Sequence, residues 1–156
     1  MLCRINRTHA GRRSRGQTLV EVTLIIPLLI VLVGAAVDWG LVFFVSHVTQ
    51  NAVRSGARLA VTLNTPVSLA TVRTEVKRVI PDTALFSAFR TNANITVDCI
   101  APAGGAPPFL RVRISNAGNA IPVNMYFMRI LGLTNVPILR ETTMKYERTL
   151  TCPTIS

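Results

Sequence analysis

The hydrophobic pattern of the chain is dominated by one long apolar run. Between Val22 and Val45 the only charged residue is Asp38. As an α-helix these residues are about 36 Å long at 1.5 Å per residue, which is enough to cross a bilayer. We therefore predict a membrane-spanning helix near the N-terminus.

The helical pattern continues beyond the apolar run. Apolar residues recur at three- and four-residue steps on one side, and polar residues form the opposite stripe. The apolar side comprises Val45, Val48, Ala52, Gly56, Leu59 and Leu63, and the polar stripe comprises His47, Asn51, Arg54 and Arg58. We predict one helix from about Glu21 to Leu63, with its first half in lipid and its second half packed on a head. Pro27 removes one backbone hydrogen bond, which membrane helices tolerate.

A second, shorter helix is predicted after a break. Thr65 precedes a proline, is therefore biased toward extended geometry, and is placed to cap a helix that begins at Pro66. The apolar face of this helix comprises Leu69, Val72, Val76 and Val79. Pro81 ends the helix. A short turn after it carries the apolar side chains Leu85, Phe86 and Phe89.

From Asn94 the pattern changes to the alternation of strands. The predicted strands are residues 95–100, 109–115, 121–127 and 137–149. A Pro/Gly-rich loop makes a hairpin of the first two, and a helical turn at 128–133 precedes the last. A meander of three or four antiparallel strands, covered on one face by the long helix, would bury both apolar faces. The expected fold class is α+β: a long apolar helix at 17–63, then an exported head at 64–156.

Charge around the apolar run sets its orientation. The basic residues that precede it are Arg4, Arg7, Arg12, Arg13 and Arg15, whereas only Arg54 and Arg58 follow closely. Because short basic flanks stay on the cytoplasmic side, we expect a cytoplasmic N-terminus and an exported C-terminal head.

Glu21 places a carboxylate at the start of the apolar run. An ionised carboxylate in lipid costs a few kcal/mol without a partner. A cut after Gly16 would create an amine at Gln17 one helical turn away, and a neighbouring copy would offer the same amine across a helix contact. Ion pairing between copies would neutralise Glu21 and set their axial register. The alternative is a glutamate that extends to the headgroups.

Two groups of residues resemble motifs of known pilins. Arg15-Gly16, followed by QTLVE at 17–21 and an apolar run, resembles the prepilin-peptidase site of type IV pilin-like proteins. The other group resembles the TadE-like minor pseudopilins of tight-adherence (Tad/Flp) pili. It comprises Glu21, Pro27, Asp38-Trp39-Gly40 and the stretch NAVRSGAR at 51–58.

The resemblance implies processing and assembly. A prepilin peptidase is expected to cut between Gly16 and Gln17, so residues 1–16 form a basic leader peptide. Glu21 is implied in assembly and register. The residues implied in helix packing are Pro27, Asp38 and Gly40. From its position alone, Asp38 either reaches water at the end of the bilayer or makes a polar contact to another subunit.

The resemblance also implies partners and a location. The partners are the prepilin peptidase, the pilus assembly platform, other pilins or pseudopilins, and membrane lipid. The subunit is expected in the inner membrane as a single-pass protein and then in the pilus at the cell surface, where it contributes to secretion, pilus biogenesis and cell adhesion. The sizeable head favours a minor or priming role over a shaft role.

The three cysteines fit cleavage and export together. Cys3 lies in the leader, which leaves Cys99 and Cys152 as an even pair in the mature chain. In an oxidising compartment a bridge between them would contribute about 4 kcal/mol by the chain-entropy estimate. The alternative is two buried free thiols.

Charge and composition argue against other classes of function. Removal of residues 1–16 reduces the formal charge from +10 to +5, with 12 basic and 7 acidic residues scattered along the chain, so we expect no nucleic-acid binding. His47 is the only histidine of the mature chain and has no acid–base partner nearby. Gly104-Gly105 lacks the Gly-Lys-Ser/Thr of a phosphate loop. We expect no enzymatic activity, no cofactor and no metal site.

Other interpretations of the N-terminus stay open. A signal peptidase cut after Gly34-Ala35-Ala36 would release a secreted surface-binding protein. An uncut signal anchor would hold the same head at the membrane as a binding protein. A membrane-associated hydrolase is a third class, although no residue of the chain stands out as its catalytic group.

Overall fold

The long helix predicted from the sequence is present and unbroken. The computed structural model describes residues 15–102 and 106–156, with side chains from Gln17 onward. Helix α1 covers Arg15–Thr62 and runs through Pro27 without interruption. The leader residues 1–14 and the Gly104-Gly105 pair lie outside the described residues.

The head begins with helix α2, Leu69–Val79. The predicted start at Pro66 with a Thr65 cap is wrong, because Ser68 is the N-cap and its side chain accepts a hydrogen bond from the Thr71 backbone N–H. Residue Val67 instead pairs with the C-terminal Ile155. The predicted turn after α2 is present as short 3₁₀ segments at Ala84–Phe86, Ala88–Arg90 and Asn92–Asn94.

Five strands form two separate antiparallel sheets. The strands are β1 Ile95–Ile100, β2 Phe109–Ile114, β3 Ile121–Asn124, β4 Asn135–Ile138 and β5 Arg140–Lys145. One sheet has the order β1-β2-β5, and the other pairs β3 with β4. The 3₁₀ turn Met128–Leu131 lies between β3 and β4. The α+β fold class is confirmed, with a long N-terminal helix followed by a small head.

This topology shows that two predictions are wrong: the strands do not form one meander, and residues 137–149 are not one long strand. That segment divides after Ile138: β4 pairs with β3, and β5 joins the other sheet through β2. Pro122 faces Pro137 across the β3-β4 pair. Proline has no N–H for a ladder and is confined to sheet edges. A two-stranded sheet consists only of edges, so it accommodates both prolines where an internal strand would not.

The core lies where the second half of α1 crosses α2 and the larger sheet. Its fully buried side chains include Val45, Val53, Val72, Phe86, Leu110 and Tyr146. The Tyr146 hydroxyl donates a hydrogen bond to the Leu63 carbonyl at 3.2 Å and so serves the C-terminal end of α1. The inward and outward stripes of the helix are those expected, since His47, Asn51, Arg54 and Arg58 are all exposed.

Candidate assembly helix and its junction with the head

The first half of α1 is an apolar rod that the head leaves uncovered. Most large apolar side chains between Leu19 and Val33 are exposed, and Leu24 retains 72% of its accessible surface. Within the described ranges, this is the one helix long and apolar enough to span a membrane. Exposed apolar area of this extent indicates lipid or other apolar helices as the surroundings.

The predicted processing site lies at the start of this rod. The Gly16–Gln17 peptide bond is in the first turn of α1, and Glu21 follows about one turn later with an exposed side chain. The carboxylate therefore points away from the protein and is accessible to a neighbouring group. Cleavage at this bond and the register role of Glu21 stay predictions.

Asp38 joins the helix to the head. Its carboxylate is 1% exposed and accepts three backbone hydrogen bonds. Oδ1 accepts from the Tyr126 N–H at 3.0 Å, and Oδ2 accepts from the N–H groups of Phe127 and Met128, each at 2.7 Å. The alternative in which Asp38 reaches water is wrong for this structure, and its three hydrogen-bond donors belong to the head of its own chain, not to another subunit. Three donors compensate a buried carboxylate for the water it has lost.

Gly34 makes the second contact of this junction. A Cβ atom at Gly34 would lie 2.5 Å from Cγ of Phe127, so only a residue without a side chain allows the ring to approach the helix. Gly34 is one helical turn before Asp38, and the same loop of the head contacts both. Together the two residues fix where along α1 the loop between β3 and β4 sits.

The stretch at 51–58 separates into an inward and an outward side. Its buried members are Ala52, Val53, Gly56 and Ala57, and its exposed members are Asn51, Arg54 and Arg58. A Cβ at Gly56 would lie 2.5 Å from Cγ2 of Val76, with Val72 and Val112 also within 4 Å. Gly56 thus allows a close approach of α1 to α2 and β2.

A polar network at the same crossing ties α1 to α2. The Ser55 hydroxyl donates to Oε1 of Glu75 at 2.6 Å, and Arg78 donates two further bonds to the Glu75 carboxylate at 2.8 Å each. These Arg78 hydrogen bonds, with that of Ser55, lower the pKa of Glu75 from 4.5 to about 2. Glu75 is therefore ionised at neutral pH, and its carboxylate links α2 to Ser55 of α1.

Two of the implied packing residues make no close contact to the head. An added Cβ at Gly40 would meet no atom within 4 Å, and the residue is exposed. Pro27 lies in the uncovered half of α1 and is also exposed. Their implied role in contacts between helices of different subunits stays a prediction.

The cysteine pair forms a disulfide. Cys99 at the end of β1 is bonded to Cys152 in the C-terminal segment, with Cα atoms 5.8 Å apart. The segment after Cys152 then pairs with the start of the head, since the Val67 N–H donates to the Thr154 carbonyl at 2.8 Å. The disulfide therefore connects the sheet to the strand-like C-terminus that closes the head.

Sequence reasoning missed the residues that Asp38 and Gly34 contact. Asp38 in an apolar run signals a buried polar partner, and Gly34 among larger apolar residues signals a close approach. Their partners, however, lie nearly ninety positions away in an irregular loop. No periodic pattern connects those two parts of the chain.

A known family matches most of the long helix. Residues 16–58 match the family model of TadE-like proteins. The N-terminal helix is TadE-like. The recognition made from the motifs is therefore confirmed, and the TadE-like segment contains Glu21, Pro27, Asp38, Gly40 and the stretch at 51–58.

The TadE-like match ends four residues before α1 does, so the head lies outside it. No curated protein and no solved structure matches the chain. The family indicates a protein associated with Tad pili and with pilus components such as other pilins. Among residues 15–102 and 106–156, no group of three His, Cys, Asp or Glu side chains is arranged to hold a metal ion.

Proposed function

We propose that the chain is a minor pilin or pseudopilin of a tight-adherence pilus. A prepilin peptidase removes residues 1–16, and the mature subunit is assembled through α1, with its N-terminus cytoplasmic and its head exported. It contributes to pilus biogenesis and adhesion by packing, and it has no catalytic role. Its partners are the peptidase, the assembly platform and other pilins.

The observation that carries the proposal is the uncovered apolar half of a TadE-like helix. The head covers α1 only from about Gly34 onward, and most large side chains between Leu19 and Val33 are apolar and exposed. A folded head on an uncovered apolar rod is the form expected of a subunit that is first embedded in lipid and later packs in a bundle of similar helices. Exchange of lipid for helices keeps that surface dry, at about 25 cal/mol per Å².

Glu21 supplies the polar contact of this exchange. After cleavage the amine of Gln17 and the carboxylate of Glu21 lie on neighbouring turns of α1. In a bundle, the carboxylate of one copy pairs with the amine of the next, which removes a charge from lipid and fixes the axial offset. The open surface at Gly40 supports the same mode, because a neighbouring helix can approach there closely.

The second half of α1 offers a polar face to neighbouring subunits. His47, Asn51, Arg54 and Arg58 are exposed on the side of α1 that faces away from the head. This stripe is continuous with the apolar rod below it. A subunit that packs along the rod would therefore also meet this positive stripe, where acidic or polar groups are the complementary surface.

Determination of the mature N-terminus tests the proposal directly. Intact mass and N-terminal sequencing of the protein from membranes and from sheared pili should show a chain that begins at Gln17. A chain that begins at Val37 would support a secreted surface-binding protein, and one that begins at Met1 would support an uncut anchor. Either result would overturn the pilin proposal.

The role of Glu21 is tested by Glu21→Gln, which removes the charge and keeps the size. We expect cleavage to persist and incorporation into pili to fail, each followed by its own immunoblot. Glu147→Gln is the matched control, because Glu147 is an exposed carboxylate of the head, 3.1 Å from Lys145. Normal pili with Glu21→Gln would show that the register role is wrong.

A further inference from the structure

The loop between β3 and β4 exposes an unusual number of large apolar side chains. They are Tyr126, Phe127, Ile130, Leu131 and Leu133, and Ile130 and Leu131 retain 73% and 60% of their accessible surfaces. We refer to residues 126–133 as the apolar loop. Such a patch on the head of an exported protein indicates a site of interaction.

The junction with α1 fixes the position of the apolar loop. The backbone N–H groups of Tyr126, Phe127 and Met128 bind the Asp38 carboxylate, and the Phe127 ring packs on Gly34. The loop is therefore held against the helix between those two turns. Its contact at Gly34 lies at the edge of the uncovered apolar half of α1.

This level of α1 is within reach of the bilayer. If Glu21 marks one boundary, an apolar thickness of about 30 Å corresponds to some twenty helical residues and ends near Gly40. Gly34 then lies about 9 Å beneath the other boundary. The side chains of Leu32, Val33 and Val37 at the same level are apolar and exposed, so lipid that surrounds the helix also reaches the loop.

We propose that the apolar loop inserts into the leaflet on the head's side of the membrane while the subunit is embedded. Ile130 and Leu131 enter the upper acyl region, and Tyr126 lies at the interface, where amphipathic aromatic side chains are favoured. Arg129, exposed in the same loop, places its guanidinium among the lipid phosphates. The inference rests on the membrane placement of α1 in the proposed function.

The insertion has a consequence for assembly. It gives the head a second attachment beside α1 and so restricts its tilt and rotation on the membrane. When the subunit is drawn out of lipid, the loop has to leave the bilayer together with the helix. Its apolar surface then becomes available to protein neighbours only after extraction.

Depth-dependent fluorescence quenching tests the insertion. Trp39 is the only tryptophan, so Trp39→Phe provides a silent background into which Ile130→Trp is introduced. The full chain is placed in nanodiscs at one chain per disc, with lipids brominated either near the headgroup or near the acyl-chain end. We expect quenching at position 130 to be several-fold stronger with the shallow label than with the deep one.

Two positions of matched exposure serve as controls in the same background. Leu24, 72% exposed and about 4.5 Å inside the boundary at Glu21, is replaced by tryptophan to report α1, and quenching by the shallow label is expected there. Leu150, 70% exposed, is replaced likewise to report the distal end of the head, and no quenching is expected. Arg148, two residues before Leu150, donates a hydrogen bond to Asn64, just beyond the end of α1. Because α1 rises about 36 Å between Asp38 and Thr62, Leu150 is far from the level of Asp38.

The controls distinguish the membrane placement of α1 from the insertion of the apolar loop. Absence of lipid quenching at position 24 would overturn the membrane placement of α1, and the loop proposal with it. Quenching at 24 without quenching at 130 would overturn the loop proposal alone. A tryptophan at 130 that is unquenched by lipid, and shielded from aqueous acrylamide only at two or more chains per disc, would assign the loop to contacts between copies and would equally overturn it.

Discussion

The carboxylate of Asp38 lies 2.7 Å from the backbone nitrogen of Phe127, which follows it by 89 positions in the sequence. This hydrogen bond, with its two neighbours, connects the apolar helix to the head one helical turn beyond the contact at Gly34. Asp38 therefore fixes, together with Gly34, where the loop between β3 and β4 lies along α1.

We predict that Asp38→Asn loosens the junction. An amide has one acceptor oxygen where the carboxylate has two, so at least one of the three N–H donors of residues 126–128 loses its partner. A buried donor without a partner costs about 1–3 kcal/mol. Amide exchange at these three positions, measured by mass spectrometry on the full chain in nanodiscs, should become about tenfold faster or more.

Asp82→Asn is the control for this change. The Asp82 side chain is 87% exposed and lies 3.4 Å from Arg90, and such surface pairs contribute about 0–1 kcal/mol. We expect exchange at residues 126–128 to stay at the wild-type rate. Unchanged exchange with Asp38→Asn would mean that the three hydrogen bonds do not hold the loop.

Gly56→Ala should destabilise the crossing of α1 and α2. An alanine inside a helix normally gains about 1 kcal/mol over glycine, but here its Cβ would lie 2.5 Å from a Val76 methyl group. Overpacking costs about 1–3 kcal/mol, so we expect a net loss of about 1 kcal/mol. Chemical denaturation of the full chain in detergent, followed by near-UV circular dichroism, measures the change.

A double-mutant cycle with Val76→Ala assigns that loss to the contact. Val76→Ala removes the methyl group that Gly56→Ala would meet, so the double variant should lose about 1 kcal/mol less than the sum of the single ones. Gly40→Ala, with no neighbour within 4 Å, should not destabilise. Additive losses in the cycle would show that crowding at Val76 is not the cause.

Removal of the disulfide should destabilise the head. The bond between Cys99 and Cys152 has a sequence separation of 53, for which chain entropy gives about 4 kcal/mol. We predict that the double variant Cys99→Ser/Cys152→Ser unfolds at markedly lower denaturant, and that peptide mapping of the wild type recovers the two cysteines as one linked fragment.

Cys3→Ser is the matched control, measured on uncleaved chains that retain residues 1–16, since it removes the remaining cysteine of the sequence. It should leave the unfolding midpoint unchanged. If the disulfide is formed in the wild type and the double variant still unfolds at the same midpoint, the pairing with Val67 alone holds the C-terminal segment.

Acid should weaken the contact between α1 and α2 through Glu75. Because its pKa is lowered to about 2 in the folded chain from an ordinary 4.5, its ionised form favours folding. This contribution is fully present above about pH 4.5 and is lost as the pH falls toward 2. The difference in free energy of unfolding between wild type and Glu75→Gln should therefore shrink over that range.

Glu147→Gln is the control for the titration, because Glu147 is 72% exposed beside Lys145. We expect it to change the unfolding curve little at any pH. A titration of the Glu75 carboxyl by NMR with a midpoint near 4.5 would contradict the assigned network.

Several parts of the fold were predictable because their signal is local. The apolar period along α1 predicted its extent and its buried stripe, the apolar face of α2 was predicted, and the alternation at 95–100 and 109–115 predicted the β1-β2 hairpin. The stretch NAGN at 116–119 contains residue types that are typical of turns, and the structure has a turn there. There Ala117 and Gly118 have positive φ angles of 48° and 84°.

The division of the strand at 137–149 was not predictable in the same way. Its two halves share one alternation, with Ile138 and Tyr146 buried and Glu141 and Lys145 exposed. What separates them is the choice of partner, β3 for the first half and β2 for the second. An alternating pattern indicates which side chains face inward, but it does not indicate which strand pairs with them.

The sequence by itself determined that this chain carries a TadE-like apolar helix, which of its faces packs on a head, and that the head is α+β. These properties follow from apolar residues that recur at the period of a helix or a strand. Such a pattern depends only on residues that are close together in the sequence. Only the tertiary structure decided that Asp38 binds residues 126–128, that Gly34 and Gly56 allow the head to approach α1 closely, and that the apolar loop lies beside the apolar helix. Those contacts join surfaces far apart in sequence, and their choice depends on how whole elements pack.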